Sequence, residues 1–173
     1  MLAMTFIHER HKMPQRPESG KQLILAVPQL RSNVNLARIV RTAGACGISR
    51  MIVGGNGRID ASIARDALEC VAIERHRSLL PVLVPLKASG ISLVGLEQST
   101  GSQCLYDYRF PDQTVLVIGH ERLGIDEPIL QLLDAVLEIP IYGRPRSHNV
   151  ATATAMALYE FCRQRARADV PGT

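Results

Sequence analysis

The sequence predicts an α/β protein, a mainly parallel sheet flanked by helices, on three observations. Short continuous apolar runs of strand length alternate with segments whose apolar residues recur at helical spacing. The runs are apolar throughout, as expected of strands covered on both faces. Most of the runs lead into loops rich in Gly, Asn, Ser or Arg. Beyond the carboxyl ends of strands is where open α/β sheets hold their ligands.

Residues 1–21 are polar, Pro-containing and aperiodic, and read as a mobile arm. Leu23 to Val27 (LILAV), stopped by Pro28, is a first strand. From Asn33 onward Leu36, Ile39, Val40, Ala43 and Cys46 follow helical spacing, and Gly47 supplies a stop. Met51 to Val53 is a second strand, ended by Gly54-Gly55. Residues 61–80 read as helix and Pro81 to Pro85 as a connection or short strand. Ile91–Leu96, Val115–Ile118 and Ala135–Ile139 complete five strands, with a short helix over Glu127 to Leu133 between the last two. An Ala-rich helix follows Asn149. Residues 22–165 contain no repeat or linker and read as one domain, leaving 166–173 as a tail.

Composition narrows the class. With 173 residues, 46% apolar and 21% charged, the chain has the balance of a soluble globular domain. No apolar run approaches the roughly 20 residues that span a bilayer. The segment around His8, Arg10, His11 and Lys12 lacks the apolar core of a signal peptide, so cytoplasmic residence is expected. Cys46, Cys70, Cys104 and Cys162 form no CxxC and read as buried or half-buried thiols of a reducing compartment. The five histidines show no HxxxH spacing, so no metal site is expected. Net charge is +4, and lysine occurs only at Lys12, Lys21 and Lys87. Arginine forks match phosphate oxygens, which makes an Arg-rich surface compatible with nucleic acid.

Four of the five strand ends deliver polar or Gly-rich loops. The first leads through Arg31-Ser32-Asn33-Val34-Asn35 into a helix carrying Arg38 and Arg41. The third leads into Glu97-Gln98-Ser99, and the fourth into Gly119-His120-Glu121-Arg122-Leu123-Gly124. The fifth leads into a loop with Gly143, Arg144, Arg146, Ser147, His148 and Asn149. Singly, each has an ordinary reading. Asn33 or Asn35 could cap a helix, Arg38 and Arg41 could be solvated, and the glycines could serve turns. There is no GxGxxG after the first strand, no P-loop lysine and no GxSxG elbow. Ser147 and His148 are adjacent, and neighbours in sequence rarely face each other as a hydrolase pair.

Taken in order, NLARIVRTA (Asn35 to Ala43), LVIGHERLGI (Leu116 to Ile125) and IPIYGRPRSHNVATATAMALYE (Ile139 to Glu160) resemble motifs 1, 2 and 3 of the SpoU (TrmH-like) RNA 2′-O-ribose methyltransferases. These belong to the SPOUT superfamily. The resemblance covers roughly residues 22–165, and Glu97 to Ser99 looks most like the branch that modifies a tRNA guanosine. It implies a C-terminal deep trefoil knot, a homodimer, RNA as partner (tRNA first, rRNA as the alternative) and S-adenosylmethionine as cofactor. Arg41 matches the family arginine that prepares the ribose hydroxyl, and Asn35 would orient it or bind a nearby phosphate. Glu121, Ser147 and Asn149 would hold loop, substrate and cofactor pocket in register. The cofactor would lie near Leu96, Glu97, Gly119, Ile139, Ser147 and His148. Arg31, Arg38, Arg122, Arg144 and Arg146 are the expected RNA contacts, extended by the arm before Lys21 and by Arg163, Arg165 and Arg167.

The chain departs from the family pattern at three places. Ala37 and Arg122 stand where glycine is common, and His148 stands where leucine is common. None removes a group named above, so an active enzyme is expected rather than a silent RNA-binding scaffold of the same fold. An unrelated nucleotide-binding α/β enzyme is disfavoured because no phosphate-binding glycine loop is present.

Overall fold

The computed structural model describes residues 7–8, 12–15 and 20–166. The expected arm therefore falls largely outside the described residues, as does the tail beyond Ala166 with Arg167. In chain order the elements are β1 (Gln22–Val27), α1 (Asn33–Ala45), β2 (Arg50–Gly54), α2 (Ala61–Ala64), α3 (Ala67–Cys70), β3 (Ala72–His76) and α4 (Leu80–Ala88). There follow β4 (Ser92–Leu96), β5 (Gln103–Cys104), β6 (Gln113–Ile118), α5 (Glu127–Leu130), β7 (Ala135–Glu138) and α6 (Val150–Ala166). The strands form one seven-stranded sheet in the order β3-β2-β1-β6-β4-β7-β5. Every pairing is parallel, and Leu25 on β1 stands between Met51 on β2 and Leu116 on β6.

The apolar runs arise because helices cover both faces. Successive strand residues point to opposite sides. Leu25, Val27, Leu116 and Ile118 pack with Leu36, Ile39 and Val40 of α1 and with Leu158 and Phe161 of α6. On the other face Ala26, Val115 and Val117 meet Leu83 of α4 and Ile129 of α5. The chain thus leaves β1 toward one face, through α1, and leaves β6 toward the opposite face, through α5. Between those two neighbouring strands the sheet has its topological switch point.

α6 is anchored at its far end by a buried polar set. Gln164 accepts from the Phe110 amide (3.0 Å) and donates to the Tyr108 carbonyl (2.8 Å) and to Glu160 (2.8 Å). Its small buried residues Ala151 and Ala157 let it lie close against α1. No described helix is long and apolar enough to cross a membrane.

Several expectations are corrected. Residues 61–80 are not one helix: α2 and α3 are single turns, broken at Arg65 (φ 52°), and β3 follows. β3 is an edge strand with Glu74 and Arg75 among its residues, so it carries no apolar signal. Pro81 to Pro85 lies inside α4 rather than forming a connection or strand. Proline at a helix start has no N–H to lose, and only Pro85 sacrifices a bond. β5 is two residues long, below what a pattern can reveal. α5 stops at Leu130, three residues earlier than expected, and β7 ends at Glu138 rather than Ile139. Of the cysteines, Cys46 is buried, but Cys70 is exposed rather than half-buried.

Candidate active site

The site is built from the loops that follow β1, β4, β6 and β7. After β6 the chain folds into a tight turn in which the His120 and Gly124 backbones exchange hydrogen bonds of 2.9 and 3.0 Å. Gly124 sits at φ 71°, where a side chain is strained. Gly119 is needed for closeness: a Cβ there would lie 2.7 Å from Glu97 Oε2. The Glu97 carboxylate fills that space because it accepts from the Ile125 amide (3.1 Å) and the Gln98 amide (3.0 Å). Glu97 therefore pins the end of β4 to the turn after β6. Inside the turn, His120 Nδ1 accepts from the amides of Arg122 (3.1 Å) and Leu123 (3.3 Å). An accepting Nδ1 leaves the proton on Nε2, 3.8 Å from Glu121 Oε2.

Glu121 turns back toward the start of α1. Its Oε2 accepts from the Arg31 amide (2.9 Å), and its Oε1 from the Ser32 amide (3.1 Å) and Asn35 Nδ2 (3.3 Å). Burial pushes the Glu121 carboxyl up, but the Arg31 and Ser32 amides and Asn35 outweigh it and hold it below the usual glutamate range. Asn35 is 9% exposed. Since Glu121 can only accept, Asn35 must present its amide nitrogen to it and its oxygen elsewhere. That oxygen accepts from Asn149 Nδ2 at 3.3 Å. Asn149 Oδ1 in turn accepts from the Ala151 (2.9 Å) and Thr152 (3.4 Å) amides at the first turn of α6. One run of oriented bonds, Glu121–Asn35–Asn149–α6, thus ties three loops together. The cap of α1 is Ser32, whose Oγ accepts from the Asn35 amide at 3.1 Å, and neither Asn33 nor Asn35 performs it.

These loops enclose a cavity of about 520 Å³ beyond the ends of β4, β6 and β7. Leu96, Ile118, Leu137, Ile139 and Ile141 give it apolar walls, while Glu121, Arg122, Ser147, His148 and Asn149 give it a polar rim. All six residues expected to hold the cofactor, Leu96, Glu97, Gly119, Ile139, Ser147 and His148, line this one cavity. The Glu97 carboxylate is committed to the loop amides. Among the expected catalytic residues, Glu121, Ser147 and Asn149 line it, and Asn35 is bonded to two of them.

Arg41 is different. It is exposed on α1 and lines no part of this cavity. It lies six residues beyond Asn35, about 9 Å along the helix axis. Of the expected RNA contacts only Arg122 lines the cavity, and Arg31, Arg38, Arg144 and Arg146 are exposed around the same loops. Ala37 is fully buried in the α1 packing. Sequence reasoning missed His120, Ile141 and Thr154 as lining residues. Ile141 was legible as part of the apolar run Ile139-Pro140-Ile141-Tyr142 that precedes the polar loop, whereas the tie made by His120 depends on the shape of the turn.

The sequence profile of the SpoU rRNA Methylase family matches residues 22–159. This chain belongs to that SpoU family. It is 30% identical over 154 residues to a tRNA (guanosine(18)-2′-O)-methyltransferase of Mus musculus, covering 86% of this chain and 10% of that protein. It is 31% identical over 149 residues to the tRNA (guanosine(18)-2′-O)-methyltransferase of Aquifex aeolicus, covering 84% of this chain and 71% of that enzyme. The crystal structure of an A. aeolicus TrmH/SpoU tRNA modifying enzyme matches with a TM-score of 0.79 at 30% identity, over 86% of this chain and 78% of that one. The SpoU methyltransferase AviRb from Streptomyces viridochromogenes, in complex with the cofactor AdoMet, matches with a TM-score of 0.71 at 29% identity, over 88% and 60% of the two chains. In this SpoU chain the polar run Glu121–Asn35–Asn149 joins the three sequence motifs that carry the resemblance.

Proposed function

We propose that this chain transfers a methyl group from S-adenosylmethionine to a ribose 2′-hydroxyl of RNA, with tRNA as the substrate class. The observation that carries the reading is the cavity beyond β4, β6 and β7, on whose rim Asn35 joins Glu121 and Asn149 in one oriented network, with Ser147 lining the cavity beside them. The cavity suits the cofactor. Its volume of about 520 Å³ is that of a small-molecule site, with apolar walls for a flat base and polar groups at one side. Backbone groups around Leu96, Gly119, Ile139 and His148 are the ones available to an adenosine edge. S-adenosylmethionine, when bound, supplies a methyl already activated by the sulfonium charge.

The chain's own residues have to position and polarise the acceptor. A ribose hydroxyl is a poor nucleophile until its developing negative charge is met. Guanidinium keeps its proton in proteins, so Arg41 serves by stabilising the alkoxide rather than by removing a proton. Arg41 lies outside its own chain's cavity, so it meets the ribose where bound RNA or a second copy of the chain brings it there. A homodimer is part of the proposal, and Tyr142, exposed beside the cavity-lining Ile141, supports it. Asn35 and Glu121 fix the start of α1, Asn149 caps α6, and Ser147 lines the cavity beside it.

The trefoil knot is also proposed. It is supported by the path of the chain after β7, which returns past the loops following β4 and β6 to lay α6 against α1. Cytoplasmic residence accompanies an RNA substrate of this kind. Calorimetric titration separates the reading from an unrelated nucleotide-binding enzyme: S-adenosylmethionine binds and NAD⁺ does not. Binding of NAD⁺ in place of S-adenosylmethionine would overturn the proposal.

A further inference from the structure

A second cavity of about 210 Å³ opens on the other side of the 119–124 turn, at the ends of β1, β2 and β6. It occupies the switch point between β1 and β6, the place in an open α/β sheet where ligands gather. Ile118, His120 and Gly124 line both cavities, so a single turn of chain separates them. At 210 Å³ it is smaller than the roughly 300–1,000 Å³ of sites for larger ligands, and has the scale of one flat heterocycle. Its floor is apolar, with Val117 and Ile129. Its rim carries Arg77, Asp126 and Leu123, whose side chain is an apolar surface left 77% exposed.

The polar rim groups are unspent. Asp126 is the residue before α5 but makes no side-chain cap bond. Neither Asp126 nor Arg77 takes part in a salt bridge among the described residues. With one carboxylate and one guanidinium on its rim, the cavity is balanced in charge and suits a neutral ligand that offers both donors and acceptors. Guanine offers two adjacent donors, N1–H and N2–H, that a carboxylate accepts together, and acceptors at O6 and N7 that an arginine fork meets. Adenine offers a single donor, on N6. Unstacked RNA bases are read in this way, by edge hydrogen bonds over an apolar platform.

We propose that the β1/β6 cavity holds the guanine base of the RNA nucleotide being methylated, one turn of chain away from the methyl-transfer cavity, with Asp126 and Arg77 as the reading residues. The proposal rests on the methyl-transfer reading for its substrate, and two experiments keep the two apart. In the first, kcat/KM for methyl transfer is measured on the best unmodified tRNA transcript and on versions with the target nucleotide changed to guanosine, inosine or adenosine. Wild type is expected to prefer guanosine to adenosine by about tenfold or more, with inosine between. Asp126→Asn and Arg77→Ala are expected to erase most of that preference while the calorimetric Kd for S-adenosylmethionine stays within about twofold. Preference unchanged in both variants, or a wild type indifferent to the target base, would overturn the guanine site and leave methyl transfer standing.

In the second, guanosine and adenosine 5′-monophosphates are titrated into the protein and followed by amide chemical shifts. Shifts at Ser78, Leu123 and Asp126 that are larger for the guanosine nucleotide, and lost in Asp126→Asn, support the guanine site even if no RNA is methylated. In that case the transfer reading alone falls. Equal shifts for both nucleotides overturn the guanine site.

Discussion

Replacing Glu121 with glutamine keeps the shape of the side chain and removes its charge, which tests the tie between the loop after β6 and the start of α1. The carboxylate is 17% exposed and accepts three hydrogen bonds, from the amides of Arg31 and Ser32 and from Asn35. Glutamine retains one acceptor oxygen for Ser32 and Asn35, but its NH₂ then faces the Arg31 amide, donor against donor. The exposed Arg31 amide can turn to water, so that loss is near 1 kcal/mol. Each retained bond falls from charge-assisted to neutral, losing about 0.5–1 kcal/mol. The sum is about 2–3 kcal/mol, which for a chain of this size lowers Tm by about 4–12 °C.

Thermal melts followed by circular dichroism read this directly, and pH supplies a second signature. The folded carboxyl is held below its ordinary value, so its stabilisation is fully present above the unfolded pKa, near 4.3. It is lost as pH falls through the lower folded value. Wild type and Glu121→Gln should therefore differ at pH 7 and converge in acid below the usual glutamate range. Equal Tm values at pH 7, or a gap that does not narrow in acid, would refute this account of Glu121.

Three further outcomes are expected. Gly124→Ala places a Cβ 2.5 Å from Glu97 Oε2 at φ 71°, and should cost about 1–3 kcal/mol in urea unfolding and weaken S-adenosylmethionine binding; unchanged stability would refute the close packing. Asn149→Ala removes the cap of α6 and the bond to Asn35, and should lower stability by about 1–2 kcal/mol, measured by the same melts. Arg41→Ala, at an exposed position, should leave Tm and cofactor affinity unchanged and abolish methyl transfer; full activity would remove Arg41 from the mechanism.

The central strands were legible because both faces of the sheet are covered, which turns β1, β4 and β6 into unbroken apolar runs. β3 was not, since an edge strand carrying Glu74 and Arg75 lacks that signature. α4 was hidden by Pro81, which a helix tolerates at its start, and by Pro85, which stands inside it at the cost of one backbone bond; sequence reasoning takes both as breaks. At the site, the residues expected around the cofactor share one cavity. What spacing did not reveal is which groups bond to which. Glu97 serves the turn of the adjacent strand, and Asn35 is oriented by Glu121, contacts between residues far apart in the chain. Of the cavity at the β1/β6 switch point only the side made by the Leu116 to Ile125 motif was legible, since Arg77 follows β3 and Asp126 follows β6 and only the fold brings them to one cavity.

The most direct test of the central claim is methyl transfer from labelled S-adenosylmethionine to unmodified tRNA and rRNA, with the labelled position mapped by resistance of the adjoining phosphodiester to alkali. A 2′-O-methyl mark on a single tRNA nucleotide is the predicted result. Label on a base, or none on any RNA while S-adenosylmethionine binds, would contradict it.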